Sequence, residues 1–577
     1  MIALAPAAAH AGSAALAGLC DEYWQGYLQA HPTNATAFGD RRYDDRLADV
    51  TPAGLSAEAH RLEGVLARAH ELEAAELTSA DQLTLDALVE EVDGQLAEAT
   101  CHYEDWVVDP LGGPQVDLFN LPDYTTIESV AEGHKYVSRL EAMAPYVDAH
   151  IANLRAGLKA GRTASIGAVQ KVLDQLDVLA AQPVAKCALL EPTHFQHAGW
   201  TVQERKRFAA GVTAAVKDGV KPAFARYQAM LRSEILPAAR PQDRAGLVAL
   251  PGGIECYRKA IRIQTSLDVS PDSLHQLGLD EVAKFRSNLA VLGQKVLGTS
   301  NIPEIERRLR SDPAMQFKTA AEIEAKAREA LGRAKAALPQ WFGILPKGEC
   351  EVKVMGMHEA PQSTIAYYRN GPMDHSRPAY YMINTYKPGT RPRYEAEALA
   401  FHESIPGHHL QIAIAQELTG IPEFRKNQGV TAYVEGWALY TERLADEMGL
   451  YSSDLDRIGM LSYDAWRACR LVVDTGLHAK GWSRQQAIDY MKANTCLAEN
   501  NIENEVDRYL TWPGQALAYK CGQLEILRLR EEAKQRLGTR FDIRRFHDAV
   551  LKNGAVSLPV LRRQVEAWIT EQVPVVQ

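Results

Sequence analysis

The chain has 577 residues, of which 46% are hydrophobic and 24% charged, and its formal net charge at pH 7 is −10. This composition is typical of a folded globular protein and excludes disordered and fibrous classes. The acidic balance argues against a nucleic-acid partner, and no apolar run is long enough to cross a membrane, so we expect no membrane partner. The length suits several domains or one large body with ample core.

The N-terminal segment is rich in alanine and lacks the Lys or Arg that begins a secretory signal peptide. Cys20 lies one residue out of register with a lipoprotein box, and we interpret residues 14–30 as the first helix. The eight cysteines are scattered without a CxxC pair, which is typical of reduced, buried thiols rather than a disulfide framework. These features predict a cytoplasmic protein.

Helical periodicity dominates the first part of the chain. Thr201 followed by Glu204 indicates a capping box, and Ser270-Pro271 indicates an N-cap with a first-turn proline. A Pro- and Arg-rich break near residue 245 predicts a helical N-terminal lobe (1–245) and a catalytic lobe (246–577), which together form one continuous body. The predicted helices are 14–30, 56–73, 79–99, 127–161, 165–181, 201–236, 253–266, 273–297 and 320–338.

A small sheet is predicted between about residues 350 and 386, before helices resume from 393 to about 570. The segments 351–355, 364–368 and 379–386 are rich in β-branched and aromatic residues and are separated by Gly, Pro and Asn. We expect an antiparallel sheet beside the helix that carries the site, with 379–386 as an edge strand that binds an extended peptide. The predicted fold class is mainly α, a two-lobed helical body with this small sheet.

The largest cluster of residues that can bind a metal or transfer a proton lies in the sequence FHESIPGHHLQ, which contains His402, Glu403, His408 and His409. A His-Glu pair on an apolar helix is typical of zinc sites in which two histidines four residues apart bind the metal and the glutamate acts as general base. Here Pro406 occupies the fourth position after His402, so the usual HExxH pattern is absent.

The Pro-Gly pair at 406–407 explains how two histidines six residues apart could still bind one metal. In a straight helix, residues six apart lie about 120° apart and about 9 Å along the axis, so His402 and His408 could not share a metal. Pro406 cannot donate to the carbonyl of His402, and Gly407 adopts unusual dihedrals, so we predict a kink or bulge. That break moves His408 to the second ligand position. His409 is the alternative, on the same face of a straight helix but about 10.5 Å along it.

A downstream helix with the sequence YVEGWALYTERL offers the third ligand, Glu435, flanked by aromatic residues that would keep the site dry. On the same helix, Glu442-Arg443 has the composition of a solvated ion pair. Arg470, Asp474 and His478 form one stripe on a later apolar helix. That stripe is either an internal ion-pair ladder or a set that supports the ligands and places His478 on the substrate or its oxyanion.

Four further residues are candidates for substrate contact. Tyr519 could stabilise the oxyanion, and Arg508 could bind a free substrate carboxylate by a bidentate contact. Tyr509 and Lys520 accompany them, although a Tyr on a helix more often packs and a Lys more often faces solvent. Loop histidines at 358 and 375 could also reach the cleft.

The HExxPGHH motif followed by VEGWALYTE resembles a bacterial family called domain of unknown function 885. The resemblance runs through most of the chain, including the Pro-Gly-Gly turn at 251–253, Arg-Pro at 391–392 and PGQALAYK at 513–520. The stretch Glu-Gly-Trp-Ala at 435–438 is also similar to the Asn-Glu-Gly-Phe-Ala segment of gluzincin aminopeptidases, in which that Glu binds zinc.

This resemblance implies a zincin-like metallopeptidase core. It implies that His402, His408 and Glu435 bind one zinc ion and that Glu403 acts as base. Independently of the resemblance, we expect Asp474, Arg470 and His409 to support them. No nucleophile elbow, P-loop or dinucleotide fingerprint is present. We expect zinc-dependent hydrolysis of amide bonds in short peptides. The alternatives are a metal-containing peptide- or metabolite-binding protein without turnover, and a hydrolase of a non-peptide amide; the oligomeric state stays open.

Overall fold

The computed structural model describes residues 11–72, 77–356, 360, 364–371, 377–427 and 429–573. The two loop histidines at 358 and 375 lie outside these residues. Contacts divide the chain into two compact units: Met1–Cys256 with Gly481–Arg484, and Tyr257–Lys480 with Gln485–Gln577. No helix among the described residues is long and apolar enough to cross a membrane.

The first unit is helical, and its core is built from apolar faces of the long helices α6 to α9 and the π-helical turns that join them. Most predicted helices are confirmed, and the stretch from Val202 is continuous to Ala238 through π turns at Ala215–Val220 and Leu231–Ile235. Its helices are α1 Ala11–Ala30, α2 Pro32–Ala37, α3 Pro52–Glu71, α4 Ser79–Ala99, α5 Pro114–Asp117, α6 Val130–Lys159, α7 Ile166–Ala181, α8 Val202–Ala214, α9 Lys221–Met230 and α10 Leu236–Ala238.

The first unit contains the predicted capping box at Thr201 and a disulfide that was not predicted. The capping box is confirmed, since Thr201 accepts from the backbone of Glu204 and the Glu204 carboxylate accepts from the backbone of Thr201. The expectation that all cysteines are reduced is wrong for one pair, because Cys101 and Cys256 form a disulfide with their Cα atoms 5.4 Å apart. Spacing along the chain gave no signal for two cysteines so far apart in sequence. The other six are free and buried.

The second unit contains the remaining helices and the sheet; α11 crosses the division between the units. Helix α19 is its axis: nearly every residue from Ile458 to His478 is buried, as expected for a helix surrounded by others. The helices are α11 Gly253–Thr265, α12 Pro271–Leu297, α13 Ile302–Ser311, α14 Ala320–Trp341, α15 Ala396–Glu403, α16 His408–Gln416, α17 Glu423–Asn427, α18 Thr431–Glu447, α19 Asp454–His478, α20 Arg484–Asn494, α21 Glu499–Thr511, α22 Ala518–Leu537, α23 Ile543–Leu551 and α24 Leu558–Gln572.

The sheet has three strands, β1 (Cys350–Val354), β2 (Ala366–Arg369) and β3 (Ala379–Ile383), in the order β1-β3-β2. Strand β3 pairs parallel with β1 and antiparallel with β2, so the sheet is mixed, and the antiparallel prediction is wrong for one pairing. The strand nominated as an edge, 379–386, is the central one. Strand composition identifies strands but not their order, and β2 is the edge that faces the site.

The fold is therefore mainly α with one small mixed sheet. Helices α18 and α22 cross at two glycines: a Cβ on Gly522 would lie 1.8 Å from the Ala432 carbonyl oxygen, and one on Gly436 would lie 2.4 Å from the Gly522 Cα. Only glycine permits so close an approach. This crossing fixes α18, the helix that carries Glu435.

Candidate metal centre

The predicted interruption between the two histidines is present as a complete break between helices. Helix α15 ends at Glu403, and α16 begins at His408. Gly407 is required there, because a Cβ would lie 1.9 Å from the His402 carbonyl oxygen. The Trp437 indole N–H donates to the Pro406 carbonyl at 3.0 Å and holds the turn against α18.

This break brings His402 and His408 to one carboxylate. Their Nε2 atoms lie 3.6 and 3.5 Å from Oε2 of Glu435, and ligand-capable atoms of the three residues all lie within 4.8 Å of one another. The two imidazole rings are nearly perpendicular, with centroids 4.9 Å apart. His409 is outside this cluster, because its Nδ1 contacts the Tyr368 hydroxyl and its Nε2 the Gly348 carbonyl.

Glu442 is the functional residue that sequence reasoning missed. Its Oε1 lies 2.8 Å from Nδ1 of His402, and its side chain is 1% exposed, so it is not the solvated residue expected. Arg443 pairs instead with Asp464, at 2.6 Å. A carboxylate on Nδ1 orients the imidazole and leaves Nε2 for a ligand. Glu442 follows Glu435 by two helical turns on α18, and that shared face was the available signal.

The imidazoles and carboxylates of the cluster shift one another's pKa. Burial opposes a charge on His402, but the Glu435 and Glu442 carboxylates outweigh it and raise the pKa of His402 to about 9. Burial likewise opposes ionisation of Glu435, yet the two histidines hold its pKa well below the usual range. The pKa of Glu403 is raised, chiefly by burial.

These residues fit a divalent zinc ion. Two imidazole nitrogens and one carboxylate oxygen form the ligand set of many catalytic zinc sites, which keep a further position open. Oε2 of Glu435 is buried without a hydrogen-bond partner, as expected of an atom placed to bind a cation. His402, His408 and Glu435 would hold the ion.

A cavity of about 370 Å³ opens over this cluster, and Glu403 lies in its wall. Strand β2 forms one side, with Ala366, Tyr367 and Tyr368 lining it. On another side the Tyr519 ring stacks near His402, with centroids 6.4 Å apart.

Beyond Tyr519 the cavity wall is cationic. Arg508 lies beside the Tyr519 hydroxyl at 3.4 Å, and Arg470 lies over the Tyr519 ring at 4.3 Å. Glu505 contacts both guanidinium groups, at 2.8 Å from Arg470 and 3.5 Å from Arg508. Arg467 completes this wall, and its Nη2 lies 3.6 Å from Glu442.

The sequence profile of one protein family matches residues 32–565, and that family is described as "Bacterial protein of unknown function (DUF885)". The chain belongs to the DUF885 family. A comparison with curated proteins finds no match.

Two solved structures are similar to this DUF885 chain. A putative lipoprotein from Colwellia psychrerythraea is 27% identical, with a TM-score of 0.91 over 97% of this chain and 100% of that one. A putative lipoprotein of unknown function from Shewanella oneidensis is 19% identical, with a TM-score of 0.76 over 95% of this chain and 99% of that one. The second likeness concerns the fold alone.

On the expected stripe of α19 in this DUF885 protein, Arg470 forms an ion pair with Glu505, whereas Asp474 contacts uncharged groups. Asp474 accepts from the Tyr257 hydroxyl at 2.5 Å and from the Gly514 backbone at 3.1 Å, and burial raises its pKa to about 7. His478 is fully buried, and its Nε2 contacts the Tyr509 carbonyl at 2.9 Å. Neither residue lines the cavity. Asp474 and His478 therefore pack the helix core, where a buried polar group needs a partner.

Two residues expected to bind substrate are also buried away from the cavity lining. Lys520 is fully buried, and its Nζ lies 2.8 Å from Asp464 and 3.0 Å from Glu281, so it is not a substrate cation. The Tyr509 hydroxyl accepts from the indole of Trp466 and from Nε of Arg470, both at 3.1 Å. Tyr509 therefore positions the cationic wall. Of the supporting set, Arg470 alone lines the cavity.

Proposed function

We propose that the protein is a zinc-dependent hydrolase that cleaves amide bonds in short peptides. The observation that carries this proposal is the convergence of His402, His408 and Glu435 on one point in the wall of a cavity that also contains Glu403. Buried histidine and glutamate side chains rarely converge in this way without a ligand, because each unpaired buried polar atom costs free energy. We propose a zincin-like core for the same reason.

Each residue around the proposed zinc ion has a separate role in the proposed reaction. Bound zinc would supply a Lewis acid that polarises a carbonyl and acidifies a water molecule. Glu403 takes a proton from the attacking water and delivers it to the leaving amine, a role that suits a buried carboxylate with a raised pKa. The Tyr519 hydroxyl, on the cavity wall beside His402, donates to the developing oxyanion.

The position of strand β2 favours a peptide as the substrate. It is an edge strand, since β3 pairs with it on one side only, and residues 366–368 line the cavity. An extended peptide adds to such an edge through main-chain hydrogen bonds, which select for amide-containing substrates. The cavity volume of about 370 Å³ favours short ones.

The test compares the wild type with Glu403→Gln on a library of dipeptides and tripeptides, with zinc content measured for both. We expect wild-type hydrolysis that a chelator abolishes, and a loss of at least a hundredfold in Glu403→Gln at unchanged zinc content. Glu447→Gln, a change on the surface of α18, is the matched control. Equal turnover by wild type and Glu403→Gln would refute the mechanism. Tight peptide binding without turnover in the wild type would favour a binding protein.

The compartment is a separate proposal. The sequence predicts a cytoplasmic protein, but the Cys101–Cys256 disulfide is typical of an oxidising compartment, and the similar structure from Colwellia psychrerythraea is named a putative lipoprotein. We propose that the protein works outside the cytoplasm. Cell fractionation with alkylation of free thiols tests this, and a cytoplasmic protein with eight reactive thiols after denaturation would contradict it.

A further inference from the structure

The cationic wall of the cavity, formed by Arg467, Arg470 and Arg508, has three guanidinium groups in contact with two carboxylates, those of Glu442 and Glu505. Arg467 is balanced by Glu442, but Arg470 and Arg508 share the single carboxylate of Glu505. One of these two buried or partly buried guanidinium groups is therefore left without a carboxylate of its own. An uncompensated charge in such a place is costly unless a ligand supplies the counter-charge.

Both guanidinium groups line the cavity, and Arg508 is the more exposed of the two. Its side chain is 21% exposed, whereas that of Arg470 is 2% exposed and packed between aromatic rings. Nε of Arg508 and Nη1 of Arg470 have no hydrogen-bond partner. The Arg508 guanidinium is held at the cavity wall by Glu505 and Gln515, and a guanidinium in such a place is suited to bidentate contact with a carboxylate.

Among the described residues that line the cavity, no carboxylate is left over to pair with a substrate amine. Among the described residues that line it, the carboxylates are Glu403, Glu435 and Glu505. The first two belong to the proposed metal centre and the third already contacts two guanidinium groups. Recognition of a free N-terminus by an ion pair would need a further carboxylate.

We infer that Arg508, backed by Arg470, anchors the C-terminal carboxylate of the peptide, so that the enzyme acts from the carboxyl end of its substrate. The inference deepens the proposed function and rests on it for the role of the cavity. Tyr519 connects the two parts of the site, since its ring stacks near His402 and its hydroxyl lies beside Arg508. The scissile bond then lies a short peptide length from the anchored carboxylate.

Binding without turnover tests the anchor separately from the chemistry. Zinc-loaded Glu403→Gln protein is titrated calorimetrically with acetyl-Ala-Ala, its C-terminal amide, and acetyl-Ala-Glu-amide, in which the carboxylate sits on a side chain. We expect the free acid to bind about tenfold to a hundredfold more tightly than either amide, as expected for a charge-assisted contact.

The anchor itself is tested in the same background. Arg508→Met should remove the preference for the acid, and Arg508→Lys should restore part of it, because lysine keeps the charge but loses the bidentate contact. Arg328→Gln is the matched control, an exposed arginine paired within α14.

The outcomes separate the two proposals. Tighter binding of the acid in a protein that hydrolyses no peptide would support the anchor and refute the peptidase. Hydrolysis of acid and amide at equal rates would refute the anchor and leave the peptidase. Failure of the acid to bind more tightly than its amide, or equally tight binding of the side-chain carboxylate, would overturn the C-terminal assignment.

Discussion

Replacement of Glu442 by Gln tests the geometry of the proposed metal centre without touching a ligand. Gln has nearly the same volume, and its amide oxygen can still accept from Nδ1 of His402. The change removes only the negative charge, which lies 2.8 Å from that nitrogen in a side chain that is 1% exposed. Carboxylate partners of metal-bound histidines typically contribute tenfold to a hundredfold in metal affinity.

We therefore expect zinc to bind Glu442→Gln about tenfold to a hundredfold more weakly, a loss of about 1.4 to 2.8 kcal/mol. The neighbouring Arg467, 3.6 Å away, loses part of its counter-charge in the same variant and adds to the cost of binding a cation. The assay is competition with a chromophoric chelator at fixed pH and ionic strength, which reads zinc affinity directly and needs no substrate.

Glu447→Gln is the control, because Glu447 lies on the same helix but is 46% exposed and pairs with Arg530. It should bind zinc as the wild type does. Circular dichroism must show the same helix content in all three proteins. Zinc affinity of Glu442→Gln within twofold of the wild type, in a folded protein, would show that this contact does not support a metal ligand.

Three changes test the surroundings of the site. Burial raises the pKa of Glu395 from 4.5 to about 7, so the folded protein keeps a proton that the unfolded chain releases, and stability falls as pH rises from about 4.5 through 7. Relative to Glu395→Gln, the wild type should lose about 3 kcal/mol of unfolding free energy between pH 4 and 8, measured by denaturation. A constant difference would contradict this. Lys520→Met removes a buried cation from its carboxylates and should cost about 3–5 kcal/mol in urea denaturation, and a cost below 1 kcal/mol would contradict the network. Gly522→Ala forces a Cβ against the Ala432 carbonyl and should cost at least about 2 kcal/mol and weaken zinc binding, whereas Gly332→Ala, whose Cβ meets nothing within 4 Å, should not.

Local sequence predicted the parts of the site that depend on local chemistry. A proline has no N–H to continue a helix, so the break before His408 followed from Pro406-Gly407 alone. The same argument preferred His408 to His409, and the structure brings His408 and not His409 to Glu435. Apolar periodicity likewise located the long helices.

Features that depend on partners distant in sequence were not predictable in the same way. Glu442 looked solvated, and Lys520 looked free to face substrate or solvent, because charged residues are usually exposed. Their burial depends on groups from other helices, Nδ1 of His402 on α15 for Glu442 and Glu281 on α12 for Lys520. The prediction that 379–386 is an edge strand was wrong for the same reason, since a strand's composition does not say which neighbour it pairs with.

The break between α15 and α16 also frees the distance between the two histidines from the pitch of a helix. In an unbroken helix that distance changes only in steps of whole residues. Here it follows from how the turn at Pro406 rests against Trp437, which contacts neither imidazole in a hydrogen bond. The Trp437 indole therefore sets the spacing of the two histidines. A smaller residue at this position would change that spacing, and with it the size of the ion that fits, without replacing any proposed ligand.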